Sequence, residues 1–212
     1  MITVYGRATS SNVQIVMWAI GELGLAYERL DIGHAYGGTD TPEYLAMNPN
    51  GLVPTIRDGD LVMWESSAIL RYLAARYGDE TFWPADPAIR APLDMWAEWM
   101  KTTFVPAFNL GVFWPVVRTR KAQRDEAAVA RAVEKVKPLA RMLDDRIGDG
   151  PWLAGEAFTF ADILTGHSLY RYYTMEIDRA ETPALDAYYA RLQGRQAFVE
   201  HSMVSYDALR VE

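Results

Sequence analysis

Three short stretches near the start of the chain combine side chains and backbone positions that can hold a charged ligand. Thr9-Ser10-Ser11-Asn12 gathers capping residues directly before apolar positions at helical spacing. The unpaired N–H groups and the dipole of a helix N-terminus favour an anion, and the hydroxyls can donate to it. Val53-Pro54 stands between a turn and a strand. A cis bond there would leave the Val53 backbone as an unpaired strand edge, on which an extended peptide can dock by β-like hydrogen bonds. Glu65-Ser66-Ser67 lies where a strand ends and a helix begins. Ser66 caps that helix and its N–H groups take an anion, while Glu65 supplies a carboxylate for a cation. One amino-acid head group, carboxylate and ammonium together, satisfies both. Taken singly, each stretch also fits an ordinary role: a helix cap, a trans proline opening a strand, a second cap.

The elements that must position these stretches alternate through the first eighty residues. Ile2–Tyr5 reads as a buried strand. Val13, Ile15, Val16, Ala19, Ile20 and Leu23 repeat at helical spacing until Gly24. Tyr27–Ile32 reads as a second strand, and Thr41-Pro42 starts a short helix. Asn48-Pro49-Asn50-Gly51 is a turn by composition. Pro54–Arg57 and Leu61–Trp64 are strands joined at Asp58-Gly59, and a helix from Ser66 ends at Gly78. A β-α-β unit followed by a hairpin calls for a mixed sheet, parallel in its first pair and antiparallel in its last. The stretch 79–90, rich in proline, reads as a linker. Beyond it every pattern is helical. Val129, Val133, Val136, Ala140, Leu143 and Ile147 form one stripe, in a helix that Pro138 should kink or restart. Thr159-Phe160-Ala161-Asp162 is a capping box opening a helix through Tyr173. The expected fold is α/β plus all-α: a thioredoxin-like domain over 1–78 with a mixed four-stranded sheet, the linker 79–90, and a helical bundle over 91–212.

Composition narrows the function. The chain has 212 residues, 50% hydrophobic and 23% charged, with a net charge of −7, the profile of a folded globular protein. Residues 1–80 carry 5 basic and 10 acidic side chains. An acidic chain without a basic run is a poor partner for nucleic acid or an anionic membrane. No cysteine is present, which removes disulfides, thiolate metal sites and a cysteine nucleophile. His34, His167 and His201 show no metal-ligand spacing, so no metal is expected. The first residues lack the pattern of a signal peptide, and no apolar run approaches the ~18–20 residues of a membrane helix. The expectation is a cytoplasmic protein.

Thr9–Asn12, Asn48–Thr55, Glu65–Leu73 and Gly155–Asp162, in that order and spacing, resemble the cytosolic glutathione S-transferase family over essentially the whole chain. The similarity is greatest to bacterial members near the theta and nu classes, which use serine, threonine or asparagine where other classes use tyrosine or cysteine. The resemblance implies that glutathione is the co-substrate and that Pro54 is cis. It implies that the Val53 backbone pairs with the cysteinyl residue of glutathione, that Glu65 and Ser66 hold its γ-glutamyl head, and that Thr159 and Asp162 stabilise the fold. It also implies a homodimer, and the conjugation of glutathione to small hydrophobic electrophiles. Glutathione-dependent reduction of peroxides or disulfides, isomerisation with glutathione as a cofactor, and a non-catalytic binding module are the alternatives. Where relatives often place a lysine before the valine, this chain has Leu52, so the partner of the glycyl carboxylate is open among His34 and residues 36–40.

The resemblance also implies the thiol-activating residue, because aligning the first helix and its Gly24 stop puts Ser10 where related enzymes place the active hydroxyl. Ser10 comes first, Ser11 and Asn12 next, and Tyr5 is a rival at the end of the first strand. Lowering a thiol from pKa ~8.5–9 by about 2 units requires roughly 3 kcal/mol. One charge-assisted hydrogen bond of ~1.5–3 kcal/mol and a helix dipole of ~0.3–1 reach it. The serine therefore donates and need not ionise. Met100, Phe104, Phe108, Phe113 and Trp114 can line an apolar pocket for the second substrate, with Phe104, Phe108 and Trp114 as its expected lining.

Overall fold

Strand β1 (Ile2–Tyr5) buries Ile2 and Val4 and leaves Thr3 and Tyr5 partly covered, the alternation of a strand with one face on the core. The computed structural model describes residues 1–211. Helix α1 (Ser11–Glu22) crosses from β1 to β2 (Tyr27–Leu30), which pairs parallel with β1 from Ile2↔Tyr27 to Tyr5↔Leu30. Helix α2 (Pro42–Met47) starts at Thr41, whose side chain accepts from the Tyr44 N–H. Strand β3 (Thr55–Asp58) returns antiparallel to β1, with Tyr5 opposite Thr55, and β4 (Leu61–Trp64) pairs antiparallel with β3. The sheet order is β2-β1-β3-β4, the expected mixed four-stranded sheet. The hairpin loop is Gly59-Asp60, one residue later than expected, because Asp58 pairs with Leu61. Gly59 takes φ +60° there, which glycine adopts without a steric cost. The second strand stops two residues early, at Leu30.

The helical part begins at Pro87, not after residue 90. Asp86 caps α4 (Pro87–Trp99) by accepting from the Ala88 N–H at 2.8 Å, and Pro87 occupies a position that needs no donor. Residues 87–118 run as one helical rod, through α4, a π-helical turn (Met100–Phe104), α5 (Val105–Phe108), a second π turn (Asn109–Phe113) and α6 (Trp114–Arg118). Each π turn stands just before a proline, Pro106 and Pro115. The missing N–H and bulky ring disrupt the ordinary four-residue ladder, and a widened turn accommodates both. Helix α7 (Glu126–Ile147) buries its whole expected stripe. It runs unbroken through Pro138, which is exposed, as is Glu134, whose carbonyl loses a partner. The helix after the capping box is two pieces, α8 (Phe160–Gly166) and α9 (Leu169–Thr174), followed by α10 (Pro183–Gln193) and α11 (Gln196–His201).

Helix α1 joins the two parts. Eight consecutive residues, Val13 to Ile20, are buried, because α1 packs on α3 (Ser66–Tyr77) on one side and on α8 and α11 on the other. A helix covered on several sides is apolar nearly all round. Trp18 sits fully buried, 4.8 Å from the Phe198 ring, and its indole N–H donates to Glu22 at 2.8 Å. Glu22 in turn pairs with Arg195 at 2.5 Å. Gly166 is required at the crossing, since a Cβ there would stand 2.7 Å from Leu192 and 2.8 Å from Trp18. The placement of the start of α1 is thereby fixed by both halves of the molecule.

Candidate functional site

The loop before α1 is tied down by its own backbone and by two side chains. The Ser10 N–H donates to Arg7 O at 3.1 Å, the Gln14 amide donates to Ala8 O at 2.9 Å, and Arg171 of α9 donates to Thr9 O at 2.8 Å. Ser10 occupies the N-cap position with extended backbone, yet its hydroxyl makes no capping bond. That hydroxyl stays uncommitted at the edge of a cleft of about 300 Å³. Ser11, Asn12, Leu52, Val53 and Trp114 line the same cleft, as do Gly33, His34 and Thr39. Tyr5 lies outside this lining and packs edge-on to Tyr44.

Val53 is presented by a buried polar network. The Tyr44 hydroxyl and the Asn48 amide donate to Leu52 O at 2.7 and 2.8 Å, and both contact Thr55 Oγ1, at 3.0 and 3.1 Å. Burial raises the Tyr44 pKa, so its hydroxyl stays protonated and able to donate. The Val53–Pro54 bond is cis. Among the described residues, neither the N–H nor the C=O of Val53 has a hydrogen-bond partner, as a docking edge for an extended peptide requires.

A smaller recess of about 50 Å³ continues the cleft, lined by Asn12, Leu52, Val53, Pro54, Glu65 and Ser66, with Asn48, Asn50 and Trp64. Ser66 is the first residue of α3; the cap position is Glu65, with φ +70°. A non-glycine residue in this region carries strain of about 1–3 kcal/mol, found most often where function fixes the geometry. Ser66 Oγ donates to Asn12 Oδ1 at 3.3 Å. Lys101, from the first π turn of the rod, donates to Asn12 Oδ1 at 2.5 Å and to Ser66 Oγ at 3.1 Å. Burial lowers the Lys101 pKa below that of an ordinary lysine, while Glu65 and Glu98 pull it back up. A carboxylate at the start of α3 would meet Ser66, the helix N–H groups and the Lys101 ammonium; an ammonium would meet Glu65.

Of the aromatic residues expected to line a second pocket, Trp114 does line the cleft. Phe104 and Phe108 do not: both are fully buried, edge-on to Tyr172 at 5.7 and 5.6 Å. They lie on the side of the rod that faces the helical core. Among the described residues no group of three or more His, Cys, Asp and Glu side chains gathers to hold a metal ion. No helix among them is long and apolar enough to cross a membrane.

Residues 4–81 match the glutathione S-transferase N-terminal domain model, and residues 93–196 match the glutathione S-transferase C-terminal domain model. The chain belongs to the glutathione S-transferase family. Glutathione S-transferase GstB of Escherichia coli is 37% identical over 199 residues, 93% of this chain and 95% of that protein. The crystal structure of a theta class glutathione S-transferase from Xanthomonas axonopodis pv. citri, with glutathione bound, superposes with a TM-score of 0.90. The two share 45% identity, and the match covers 96% of this chain and 98% of that one. Glutathione S-transferase I from maize, in complex with an atrazine glutathione conjugate, is 26% identical with a TM-score of 0.85, covering 98% and 97% of the chains. The fold is thus the glutathione S-transferase fold, a thioredoxin-like domain followed by a helical one.

In this glutathione S-transferase the structure brings Ser10, Ser11, Asn12, Val53, Pro54, Glu65, Ser66 and Trp114 to one continuous opening. Asn12 differs from its neighbours in that its amide oxygen is engaged by Ser66 and Lys101. The Thr159–Asp162 capping box forms as expected, and Asp162 also accepts from the Leu153 N–H and the Tyr188 hydroxyl. Lys101 and the supports Tyr44 and Asn48 were not identified as site residues from the sequence. Asn48 had a signal, as an Asn-Pro-Asn-Gly turn before Val-Pro. Lys101 had none, being one lysine in an amphipathic helix.

Proposed function

We propose that this glutathione S-transferase binds glutathione extended along the cleft, with its γ-glutamyl head at Glu65 and Ser66, its cysteinyl backbone on Val53, and its sulfur at Ser10. The observation that carries the reading is the sharing of Asn12, Leu52 and Val53 by both recesses. A head-group site, an open strand edge and an uncommitted hydroxyl therefore follow one another in a line. The set fits the tripeptide chemically: anion and cation sites at one end, backbone donor and acceptor in the middle, a donor for sulfur beyond.

Ser10 Oγ–H donates to the sulfur, and the N-terminus of α1 adds a favourable potential, so the thiolate is preferred over the thiol. Ser11 and Asn12 are the next candidates, and the engagement of Asn12 by Lys101 favours Ser10 over it. Glutathione supplies the nucleophile; the protein holds it and excludes nonproductive orientations. A small electrophile with an apolar body meets the sulfur beside Trp114. The enzyme acts in the cytoplasm as a homodimer. Ile89 and Met95 of α4 are 61% and 60% exposed, apolar surface that a second copy would cover.

The test is calorimetric binding of glutathione to the wild type and to Glu65→Ala. Micromolar to millimolar binding that falls at least tenfold in the variant supports the reading, since one charge-assisted contact is about 1.5–3 kcal/mol. Equal affinities would reject the head-group assignment.

A further inference from the structure

Three arginines surround the end of the cleft where the second substrate must enter. Arg7 lines the cleft with Thr9 and Ser10. Arg118 of α6 lies 3.8 Å over the ring of Trp114, which lines it from the helical side. Arg171 is 2% exposed and stands behind the wall, donating to Thr9 O at 2.8 Å with its guanidinium 4.6 Å from the Phe113 ring. The Nε of Arg7 and the Nε and Nη1 of Arg171 are buried without a hydrogen-bond partner.

Among the described residues, none of the three pairs with a carboxylate. Other arginines are met by carboxylates, as Arg71 is by Asp94 and Glu98 and Arg195 by Glu22, or by backbone carbonyls, as Arg179 and Arg191 are. Like charges gathered around the unmet donors of half-buried Arg7 and buried Arg171 are unfavourable unless an anion is present to meet them. The same crowding holds Arg7 below the ordinary arginine pKa, through burial and then Arg118. Arg171 falls to about 10, mainly by burial, with Arg7 and Arg118 adding repulsion.

We infer that the electrophile carries an anionic group, a carboxylate or its equivalent, held by Arg7 and Arg118 with its apolar body against Trp114, while Arg171 supports the wall electrostatically. The inference rests on the transferase reading above and narrows its substrate class. Arg118 and Arg171 come from the helical part, across from the Val53 edge. Arg7 alone also approaches Gly33, its Nη1 standing 3.3 Å from where a Cβ on that residue would be. The glycyl carboxylate of glutathione is therefore the rival anion, and the experiment separates the two.

A matched pair of electrophiles, 4-(chloromethyl)benzoate and 4-(chloromethyl)benzamide, differs only in that charge. In both, the thiolate sulfur forms a bond to the benzylic carbon as the carbon–chlorine bond breaks. Chloride leaves with the electron pair, the thiol proton has gone to solvent, and the carboxylate is unchanged. The corresponding products, S-(4-carboxybenzyl)glutathione and S-(4-carbamoylbenzyl)glutathione, allow the preference to be read by calorimetry without turnover. The carboxylate product should bind about tenfold tighter than the amide, the scale of one charge-assisted pair. The benzoate should show a similar advantage in kcat/KM once each rate is divided by its uncatalysed rate. Arg118→Gln, at an exposed position, and Arg7→Gln should each shrink that ratio toward one. Equal affinities for the two products would overturn the inference. So would an Arg7→Gln loss of equal size for both products and for glutathione itself, which would assign the arginine to the glycyl carboxylate. If glutathione does not bind at all, the transferase reading falls and takes this one with it; binding of glutathione with no carboxylate preference removes this one alone.

Discussion

Lys101 is the residue whose role could not be seen from its neighbours in sequence. It reaches Ser66 Oγ and Asn12 Oδ1 from the other half of the molecule, and only the packing of the rod against α1 and α3 brings it there. Glu65 and Ser66, by contrast, were legible because strand end, carboxylate and helix start are adjacent in the chain. Phe104 and Phe108 misled for a related reason. Aromatic type and spacing mark an apolar face, but not whether that face meets a cleft or a core. In the free protein the Lys101 ammonium is desolvated, with a lowered pKa and neutral acceptors. Lys101→Met should therefore leave unfolding stability unchanged or slightly raised, because the desolvation of the ammonium outweighs the attraction of Glu65 and Glu98 and is removed with it. Its glutathione affinity should fall by about tenfold, the scale of one ionic hydrogen bond. Calorimetry and urea unfolding of the same variant check both. A loss of stability with unchanged affinity would make Lys101 a structural residue only.

At the scale of elements, the sheet, α1 and the hairpin follow from alternation, capping residues and turn chemistry. The π turns of the rod and the break between α8 and α9 were not legible, since a proline marks a disruption without selecting a widened turn over a break, and the capping box marks only where α8 begins. Helix α8 and its C-cap carry two buried groups with opposed responses to pH. Burial pushes the Asp162 carboxyl up to about 6 despite its donors, and pushes His167 down to about 3, with Lys101 repelling its charge further. Between about pH 4 and 6 the folded state keeps a proton on Asp162 that the unfolded chain has released. Its contribution to stability thus grows as pH falls through 6. His167 stays neutral in the fold while the unfolded chain takes up a proton below about 6.5, so its contribution shrinks as pH falls. Over pH 7 to 5 the histidine accounts for a loss of about 2 kcal/mol, partly offset by the aspartate. Between those pH values, urea unfolding of His167→Gln should gain about 2 kcal/mol relative to the wild type. Parallel curves would remove His167 as the source of acid sensitivity.

At the scale of the whole molecule, the cleft lies where the two parts meet, and each contributes what the other lacks. The sheet part supplies Ser10, Val53, Glu65 and Ser66; the helical part supplies Lys101 and Trp114, and through Arg171 holds the carbonyl next to Ser10. The proposed pairing of two copies predicts a sedimenting species of twice 23.9 kDa at micromolar concentration, and a single species at the monomer mass would refute it. The central claim is that Ser10 stabilises the thiolate while other groups hold the tripeptide. Because its hydroxyl makes no capping bond, Ser10→Ala should cost little of the ~1 kcal/mol usual for losing a cap, and glutathione affinity should fall only modestly. The decisive measurement is the pH titration of thiolate absorbance in the glutathione complex of the wild type, Ser10→Ala, Ser11→Ala and Tyr5→Phe. Ser10→Ala should raise the apparent thiol pKa by about one to two units, the equivalent of one charge-assisted hydrogen bond, with the other two variants close to the wild type. An unmoved titration in Ser10→Ala, with a shift in either of the others, would contradict the account.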